Sequence, residues 1–322
     1  AWVLLAAPLL DAWLGEPRRW HPLVGFGALA MRLERRLNLA SERKRDGFLR
    51  RGCGALALLI LVAPPVLGAW WLQDFLLERD HLFVFAGLGS LTLYWAIGWK
   101  SLLTHLRAIS KACQKQNLDE ARAAVGQIVS RDCRSAQWPE VHRAAIESGL
   151  ENTSDAVVGP LVWFLLAGIP GVILYRLSNT LDALWGYRNE RFQYFGWAAA
   201  RRDDLLNLLP ARVTALAFVL LAVRTSSRDG GTSAALTAWR TQAHRCASPN
   251  AGPVMCAGAG ALGVRLGGPA HYHGQTLDKP WFGGDREPDD RDLFRAIRLI
   301  NSSLVLLFGL AGTLALVWSY LS

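Results

Sequence analysis

The chain has 322 residues, of which 52% are apolar and 19% charged, and its mean hydropathy is +0.18. It is too apolar for a typical soluble domain and too charged for membrane helices alone, so we expect a membrane core with substantial polar connections. The net charge of +9 lies in those connections, where membrane orientation and anionic lipid explain it better than nucleic acid does. Anionic substrates are a second, compatible reason.

The first apolar stretch, residues 2–31, is interrupted after Leu14 by a polar segment that contains Pro17 and Pro22. This pattern predicts a broken or re-entrant segment in which Asp11 and the loop after it line a cavity, because non-helical backbone at membrane depth needs protein or water around it. No basic residues precede the stretch and no small-residue cleavage site follows it. We therefore expect it to belong to the mature protein and not to a signal peptide.

Five later segments are long and apolar enough to span a bilayer, which takes about 20 residues. In chain order they are 52–72, 81–99, 156–175, 205–223 and 301–321. We predict an all-α fold, a polytopic membrane helix bundle with broken or re-entrant segments, that forms one integral membrane domain over residues 1–322. Its two long polar connections, 100–155 and 224–298, are predicted to be cytoplasmic.

Orientation follows from the many basic residues of 32–51, which place that loop in the cytoplasm. The connection 100–155 then returns to the cytoplasm and has the apolar spacing of amphipathic helices. The connection 224–298 is rich in Gly, Pro and Ser, which predicts mostly loop. If 156–175 and 205–223 each cross once, residues 176–204 face outward. Alternatively, helix breakers such as Gly168 and Pro210 make these segments re-entrant, or 176–204 folds back into a cavity open to the cytoplasm; both alternatives stay open.

Three acidic residues, Glu147, Glu151 and Asp155, recur every four positions and would form one ridge on a helix. Like charges at this spacing repel, so the ridge needs a metal ion or basic partners. Carboxylate oxygens suit Mg²⁺, which usually also contacts substrate phosphates. A solvated helix face is the alternative, but the ridge runs directly into a membrane segment, which weakens that interpretation.

Two further polar clusters follow the apolar segment 156–175, one before residue 190 and one after it. The first contains Arg176, Asn179, Asp182, Arg188 and Asn189. Its arginines can bind phosphate or carboxylate with two hydrogen bonds, and Asp182 can bind a metal ion. An interfacial helix with an aromatic belt is the alternative, and it explains the neighbouring aromatic residues but not the asparagines or the aspartate.

The second cluster lies within or beside the segment 205–223 and contains Arg201, Asp203, Asp204 and Arg212. Snorkelling explains charges at a membrane boundary, and a metal site is the other interpretation for the aspartate pair. Arg212 lies inside an apolar stretch, where an ionisable group indicates function.

The segment 258–263 matches G-x-G-x-x-G literally, but no strand precedes it and no ribose-binding acid follows it. We reject a dinucleotide site and predict close helix packing through small residues instead. The five cysteines include no C-x-x-C pair and their number is odd, so we expect reduced cysteines and neither a disulfide framework nor a structural zinc site.

These polar strings follow one another along nearly the whole chain. They are Asp11, Gly15-Glu16-Pro17, His21-Pro22, Ser130-Arg131-Asp132, Glu147-Ser148, Glu151-Asn152, Asp155, Pro160, Gly168-x-Pro170-Gly171, Tyr175-Arg176, Asn179-Thr180-Leu181-Asp182, Gly186-Tyr187-Arg188-Asn189, Phe195-Gly196-Trp197, Ala200-Arg201-x-Asp203-Asp204, Pro210-Ala211-Arg212, Ser248-Pro249-Asn250 and Gly260-Ala261-Leu262-Gly263 to Gly267-Gly268. Together they resemble the cobalamin-biosynthesis proteins CobD/CbiB, the adenosylcobinamide-phosphate synthases. The chain departs from that family at Glu16, where Asp is more usual, and at Leu161-Val162-Trp163, where an aromatic residue is expected one position earlier.

The resemblance implies an ATP-dependent amide ligase that joins adenosylcobyric acid to aminopropanol phosphate and yields adenosylcobinamide phosphate. It implies ATP and Mg²⁺ as cofactors, a multi-pass protein of the cell inner membrane, and an active site that faces the cytoplasm. The partners expected are the two substrates, membrane lipid, and a second copy of the chain or other corrinoid-pathway membrane proteins, with no nucleic acid. The alternatives are a membrane signalling relative without ligase activity and a small-molecule transporter.

The residue roles that follow fall into three groups. The catalytic candidates are Glu147, Glu151, Asp155, Asp182 and Asp204. The candidates for substrate and phosphate binding are Asp11, His21, Asn152, Arg176, Asn179, Arg188, Asn189, Arg201, Arg212, Ser248 and Asn250. The candidate metal ligands are Glu151, Asp155, Asp182 and Asp203.

Overall fold

The computed structural model describes residues 2–16, 22–38, 47–129, 131–225, 229–272 and 275–321. Within these ranges the chain is almost entirely helical, as predicted, with twelve α-helices and four short strands. Five stretches are long and apolar enough to cross a membrane, and each overlaps one of the five predicted spans: Gly47–Glu78, Leu82–Gln114, Trp138–Trp185, Trp197–Arg224 and Asp290–Leu321. The described chain forms two compact units, residues 1–97 with 159–207 and residues 98–158 with 208–322.

The first unit contains five complete helices and the first part of a sixth. They are α1 (Trp2–Leu14), α2 (Pro22–Leu37), α3 (Gly47–Glu78), α4 (Leu82–Ala96), α8 (Gly159–Trp185) and α9 (Trp197–Leu221), of which the unit includes residues up to Asn207. Its core packs Leu58 and Leu61 of α3 against Leu181 and Trp185 of α8. The Trp185 ring meets Phe195 edge to face at 5.0 Å between centroids, an arrangement that stabilises aromatic pairs.

The predicted break near the N-terminus is confirmed, since α1 ends at Leu14 and α2 begins only at Pro22. Asp11 is buried near the end of α1, with 2% of its surface exposed. The chain leaves α1 through Gly15, whose carbonyl oxygen accepts a hydrogen bond of 2.7 Å from the Tyr94 hydroxyl. His21, a predicted substrate contact, lies outside the described residues.

Helix α8 is broken at Gly168, where φ is +65° and ψ is −141°. The break removes helical hydrogen bonds, and Gln73 of α3 replaces them. Its Oε1 accepts from the backbone N–H of Ile169 at 2.9 Å, and its Nε2 donates to the carbonyl of Ala167 at 3.5 Å. Because no water is available inside a bilayer, such a break persists only where the protein satisfies the freed groups.

Helix α9, in contrast, runs through Pro210 without a break. Proline has no N–H to donate to the carbonyl of Leu206, which lies four residues earlier in the helix. The indole Nε1 of Trp163 donates to that oxygen at 2.9 Å. Pro210 therefore does not interrupt its helix, whereas Gly168 does interrupt the preceding one.

The second unit contains the remaining helices and all four strands. They are α5 (Trp99–Gln114), α6 (Leu118–Val125), α7 (Trp138–Thr153) with a π-helical turn at Ser154–Val158, the end of α9, α10 (Thr232–Gln242), α11 (Ala251–Leu262), β1 (Arg265–Gly267), β2 (Ala270–Tyr272), β3 (Gln275–Leu277), β4 (Trp281–Gly283) and α12 (Asp290–Leu321). Strand β1 pairs antiparallel with β4, and β2 pairs antiparallel with β3.

The prediction that residues 224–298 are mostly loop is wrong, because they contain α10, α11 and the four strands. Helix α11 is rich in Gly and Ala, and almost all of it is buried. The predicted packing through small residues is confirmed here. Added Cβ atoms would press Gly258 against Leu150 and Gly260 against the backbone of α10 at Ala234.

The predicted amphipathic helices of the first long connection are also confirmed, since Leu102, Leu106 and Ile109 of α5 and Val125 of α6 are buried. All five cysteines are free, in agreement with the sequence analysis.

The packing of α3 against the segment before α9 can be tested at Gly54. A Cβ at this position would collide with the backbone carbonyl oxygen of Phe195, which cannot easily move. We expect Gly54→Ala to lower the free energy of unfolding by about 1–3 kcal/mol, the range typical of overpacked sites. The measurement is thermal unfolding in detergent, followed by tryptophan fluorescence.

The control is Gly52→Ala in the same helix, where nothing lies within 4 Å of an added Cβ. That change should be neutral or should stabilise the protein by about 0.5–1 kcal/mol, because alanine favours a helix more than glycine does. Equal midpoints for the two variants would contradict the described packing.

Candidate functional site

The second unit contains a cavity of about 400 Å³, which we call the glutamate cavity. Helix α7 contributes Glu147, Ser148, Glu151 and Asn152 to one wall, so the predicted ridge does face a common space at its first two positions. The third position, Asp155, lies in the π-helical turn after α7 and is not part of this lining. The wider turn changes the direction of the helix face, which is why the ridge does not continue.

Glu147 is held at both carboxylate oxygens. Its Oε2 accepts from Arg131 Nη2 at 2.9 Å, and its Oε1 accepts from the backbone N–H of Gly267 at 2.7 Å. The side chains of the ion pair are each 11% exposed, so its loss would leave a charge with little solvation. This arrangement favours a positioning role for Glu147, which joins α7 to the segment that carries β1.

Glu151 lies one helical turn further along α7, in the wall of the cavity. Its charge interacts with those of Glu147, Lys279 and Arg131. The adjacent Asn152 donates through Nδ2 to the carbonyl and the hydroxyl of Ser148, at 2.9 and 3.1 Å. Glu151, like Glu147, therefore combines a place in the cavity wall with nearby positive charge, and it is not the acid that holds Arg131 and the N–H of Gly267.

Three basic side chains line the glutamate cavity, and the sequence analysis did not assign a role to any of them. They are Arg131, Arg245 and Lys279. Two come from the segment 224–298, which the composition led us to interpret as loop. A lysine or arginine in such a segment has no local signal that distinguishes it from a solvated one. The cavity thus combines three cations with the carboxylates of Glu147, Glu151 and Asp278.

The predicted residues Arg212, Ser248 and Asn250 are linked at the start of α11. The Ser248 hydroxyl accepts from the backbone N–H groups of Asn250 and Ala251 at 3.2 and 3.1 Å, which satisfies the first turn of the helix. Asn250 Oδ1 accepts from Arg212 Nη1 at 2.7 Å. Ser248 also lines the glutamate cavity. The hydrogen bond to Asn250 thereby fixes the orientation of the Arg212 guanidinium.

In the first unit, hydrogen bonds and charge interactions connect six polar residues of α8 and α9 that we call the aspartate cluster: Tyr175, Asn179, Asp182, Asp203, Asp204 and Asn207. The Tyr175 hydroxyl donates to Asn207 Oδ1 at 2.7 Å, and Asn207 Nδ2 donates to Asp203 Oδ2 at 2.9 Å. Asn179 Nδ2 donates to the other oxygen of Asp203 at 3.3 Å. These bonds orient Asp203 between the two helices.

Asp182 extends the cluster, and its charge interacts with those of Asp203 and Asp204. A Cβ at Gly186 would collide with the Asp182 carboxylate, so glycine at that position leaves room for the acid. Arg176 lies close enough for its charge to act on Asp203. Acids whose charges act on one another, with a basic neighbour, are the type of group that binds a cation and the phosphates that accompany it.

The first unit also contains a cavity, about 390 Å³ in volume, which is lined by the predicted residues Arg188, Arg201 and Asp204. We call it the arginine cavity. Arg51 also lines it and was missed by the sequence analysis, because the loop 32–51 was interpreted only as an orientation signal. The Arg51 guanidinium lies 5.4 Å from the Trp197 ring centroid. Asn189 has a local role, since its Oδ1 accepts from the N–H of Phe192 at 3.0 Å.

The candidate metal ligands Glu151, Asp155, Asp182 and Asp203 stay predictions. In the part of the chain that the structure describes, one group of three or more Cys, His, Asp or Glu side chains brings its ligand atoms within 4.8 Å of one another. That group consists of Cys113, His142 and Asp290, and it contains none of the four predicted acids.

Comparison with known proteins places the chain in a family. The family model described as CobD/Cbib protein matches residues 4–300. Relatives named cobalamin biosynthesis protein CobD include that of Chromobacterium violaceum, 50% identical over 298 residues (92% of this chain, 91% of the relative). The relative from Stutzerimonas stutzeri is 49% identical over 315 residues (95% and 96%), and that from Mycobacterium tuberculosis is 40% identical over 297 residues (92% and 90%). No solved structure matches. The chain belongs to the CobD/Cbib protein family.

An ion pair holds the loop that carries Arg188 and Asn189. Glu34 of α2 accepts from Arg191 at both oxygens, Nε to Oε1 at 3.0 Å and Nη2 to Oε2 at 2.6 Å. Asn38 Nδ2 also donates to Oε1, at 2.6 Å. Burial opposes ionisation of Glu34, but the hydrogen bonds and charge of Arg191 and the bond from Asn38 outweigh it, so the pKa of Glu34 is lowered.

This ion pair makes stability depend on pH. Because the folded pKa of Glu34 lies below its unfolded value of about 4.3, the contribution is complete above that pH and is lost as the pH falls through the folded pKa. We expect Glu34→Gln to lower the free energy of unfolding by about 1–3 kcal/mol at pH 7. The difference from the unmodified protein should shrink as the pH is lowered from 5 to about 3.

The measurement is thermal unfolding in an acid-stable detergent at several pH values. Glu190→Gln, at an exposed position of the same loop, is the matched control and should change the midpoint little at any pH. A Glu34→Gln effect of the same size at every pH would contradict the assigned ion pair.

Proposed function

We propose that this chain is an ATP-dependent amide ligase of cobalamin biosynthesis, which joins adenosylcobyric acid to aminopropanol phosphate and forms adenosylcobinamide phosphate. Family membership supports the pathway. The observation that carries the reaction class is the glutamate cavity, in which one turn of α7 places Glu151 among three cations. Aminopropanol phosphate has the complementary charges, an ammonium group at one end and a phosphate at the other.

The size of the glutamate cavity supports this assignment. About 400 Å³ is at the lower end of the range for small-molecule sites and suits a small phosphate ester but not a corrin ring. Arg131, Arg245 and Lys279 would bind the phosphate, for which charge-assisted hydrogen bonds are the strongest available contacts. Glu151 would hold the ammonium group and accept the proton that must leave before nitrogen can attack.

The carboxylate partner needs activation, because a carboxylate is a poor electrophile. Transfer of the γ-phosphoryl group of ATP to the carboxylate gives an acyl phosphate and ADP. The amine nitrogen then attacks the acyl carbon, the C–N bond forms, and inorganic phosphate leaves with the C–O bond electrons. Catalysis of phosphoryl transfer rests on positioning and charge neutralisation, which the arginines and carboxylates of both units can provide.

We assign ATP to the first unit. Arg51, Arg188 and Arg201 of the arginine cavity would bind its phosphates. The carboxylates of the aspartate cluster would hold Mg²⁺, since they are hard oxygen donors and one of them, Asp203, is oriented by hydrogen bonds from Asn179 and Asn207. When bound, Mg²⁺ would neutralise the charge on the phosphates. We place the protein in the inner membrane of the cell. Both sites would open to the cytoplasm, because ATP is found there.

The activity test uses purified protein in detergent with ATP, Mg²⁺ and both substrates, and measures amide formation by mass. We expect turnover by the unmodified chain and a loss of at least about 100-fold in Glu151→Gln and in Asp182→Asn, the cost typical of removing one electrostatic contact to a reacting group. Gel filtration and unfolding midpoints would show that both variants remain folded.

The matched controls are Glu78→Gln and Asp74→Asn, which remove exposed carboxylates of α3 and should keep full activity. No amide formation by the unmodified protein would overturn the ligase and leave the signalling and transport alternatives. Full activity in both site variants would overturn the residue assignment.

A further inference from the structure

Three side chains with metal-binding atoms meet at the ends of three helices in the second unit. Cys113 lies one residue before the end of α5, His142 lies in the first turns of α7, and Asp290 is the first residue of α12. One ligand atom from each lies within 4.8 Å of the other two. Cys113 and His142 are buried, whereas the Asp290 side chain is 33% exposed, so the group borders solvent.

The imidazole and the carboxylate are oriented by their neighbours. His142 Nε2 and Asp290 Oδ1 are 2.7 Å apart, and the Trp138 ring stacks on the imidazole with centroids 5.9 Å apart. The second oxygen, Oδ2, accepts from Gln116 Nε2 at 3.2 Å. Hydrogen bonds from surrounding residues that fix ligand orientation are usual around metal ions in proteins.

The backbone at Gln116 is a second unusual feature beside the three side chains. Gln116 lies two residues after the end of α5 in the left-handed conformation, with φ at +55°, where glycine is the usual residue. The bonds from Asn117 N to Ala112 O at 3.1 Å and from Gln116 N to Cys113 O at 2.9 Å are those of a standard helix end. A glutamine here costs about 1 kcal/mol of backbone strain, and its side chain is the one that contacts Asp290.

The hydrogen bond between His142 and Asp290 does not explain why the Cys113 thiol lies beside them. We propose that Cys113, His142 and Asp290 form a binding site for a divalent transition-metal ion of the zinc class. One sulfur, one nitrogen and one oxygen donor suit this class, whereas Mg²⁺ takes oxygen ligands. In a tetrahedral site the three atoms are about 3.4–3.6 Å apart, so only small side-chain movements are needed.

Binding releases the thiol proton to solvent and displaces the proton shared by His142 and Asp290. The fourth ligand is water, which reaches the ion from the exposed side of Asp290. The ion ties the ends of α5, α7 and α12 together, and α7 continues from His142 to Glu147 and Glu151 in the glutamate cavity. Cysteine spacing gave no sign of this site, because the three ligands come from distant parts of the sequence.

The test is binding of Co²⁺ to the chelator-treated protein in detergent. We expect about one ion per chain, with the charge-transfer absorption of a cobalt–thiolate bond, and displacement by Zn²⁺. Cys113→Ser should abolish that absorption, whereas Cys133→Ser, at another buried thiol of the same unit, should preserve it. Zn²⁺ should also raise the thermal unfolding midpoint of the unmodified protein but not that of Cys113→Ser.

A further variant separates binding from folding. Glycine suits the left-handed backbone at position 116, so Gln116→Gly should keep the unfolding midpoint of the metal-free protein or raise it. Because it removes the contact to Asp290, it should weaken Zn²⁺ binding about 10-fold or more. Three results would overturn the site: cobalt absorption without the thiolate band, a band that survives Cys113→Ser, or a midpoint unaffected by Zn²⁺. Ligase activity is not a readout here, so this site and the proposed reaction fail independently.

Discussion

Backbone groups freed inside an apolar helix must find partners within the protein, and the first unit depends on two side chains that supply them. Gln73 satisfies both sides of the break at Gly168, and Trp163 satisfies the carbonyl that Pro210 leaves without its donor. These contacts let α8 change direction and let α9 stay continuous. The two helices can then place Tyr175 in hydrogen-bonding contact with Asn207, and both Asn207 and Asn179 in contact with Asp203.

The requirement that buried polar groups have partners also distinguishes residues that position others from residues that can react. A carboxylate with both oxygens committed, such as Glu147, contributes structure, because its release would leave Arg131 and the N–H of Gly267 without their partner. Glu151, one turn away, lines a cavity that also contains three basic side chains, Arg131, Arg245 and Lys279. Sequence spacing treats the two acids alike, and only their contacts distinguish them.

Local pattern predicted the five apolar spans, the break between α1 and α2, and the clusters around Glu151 and Asp182, because each depends on neighbouring residues. It predicted helix packing at 258–263 but was wrong in interpreting 224–298 as mostly loop, since a helix of glycine and alanine such as α11 has the composition of a loop and is stabilised by burial against Leu150 and α10. It also missed Arg51, Lys279 and the pair of Glu34 with Arg191. That pair is separated by 157 positions, and no periodicity records such a contact.

The central claim is that the chain activates a carboxylate with ATP before forming the amide. It is tested most directly by labelling both oxygens of the reacting carboxylate of adenosylcobyric acid with ¹⁸O and following the label by mass spectrometry during ligation. Phosphorylation of the carboxylate predicts one ¹⁸O atom in each inorganic phosphate released and one in the amide carbonyl. Product that forms while the inorganic phosphate stays unlabelled, or label that appears in AMP, would contradict the account.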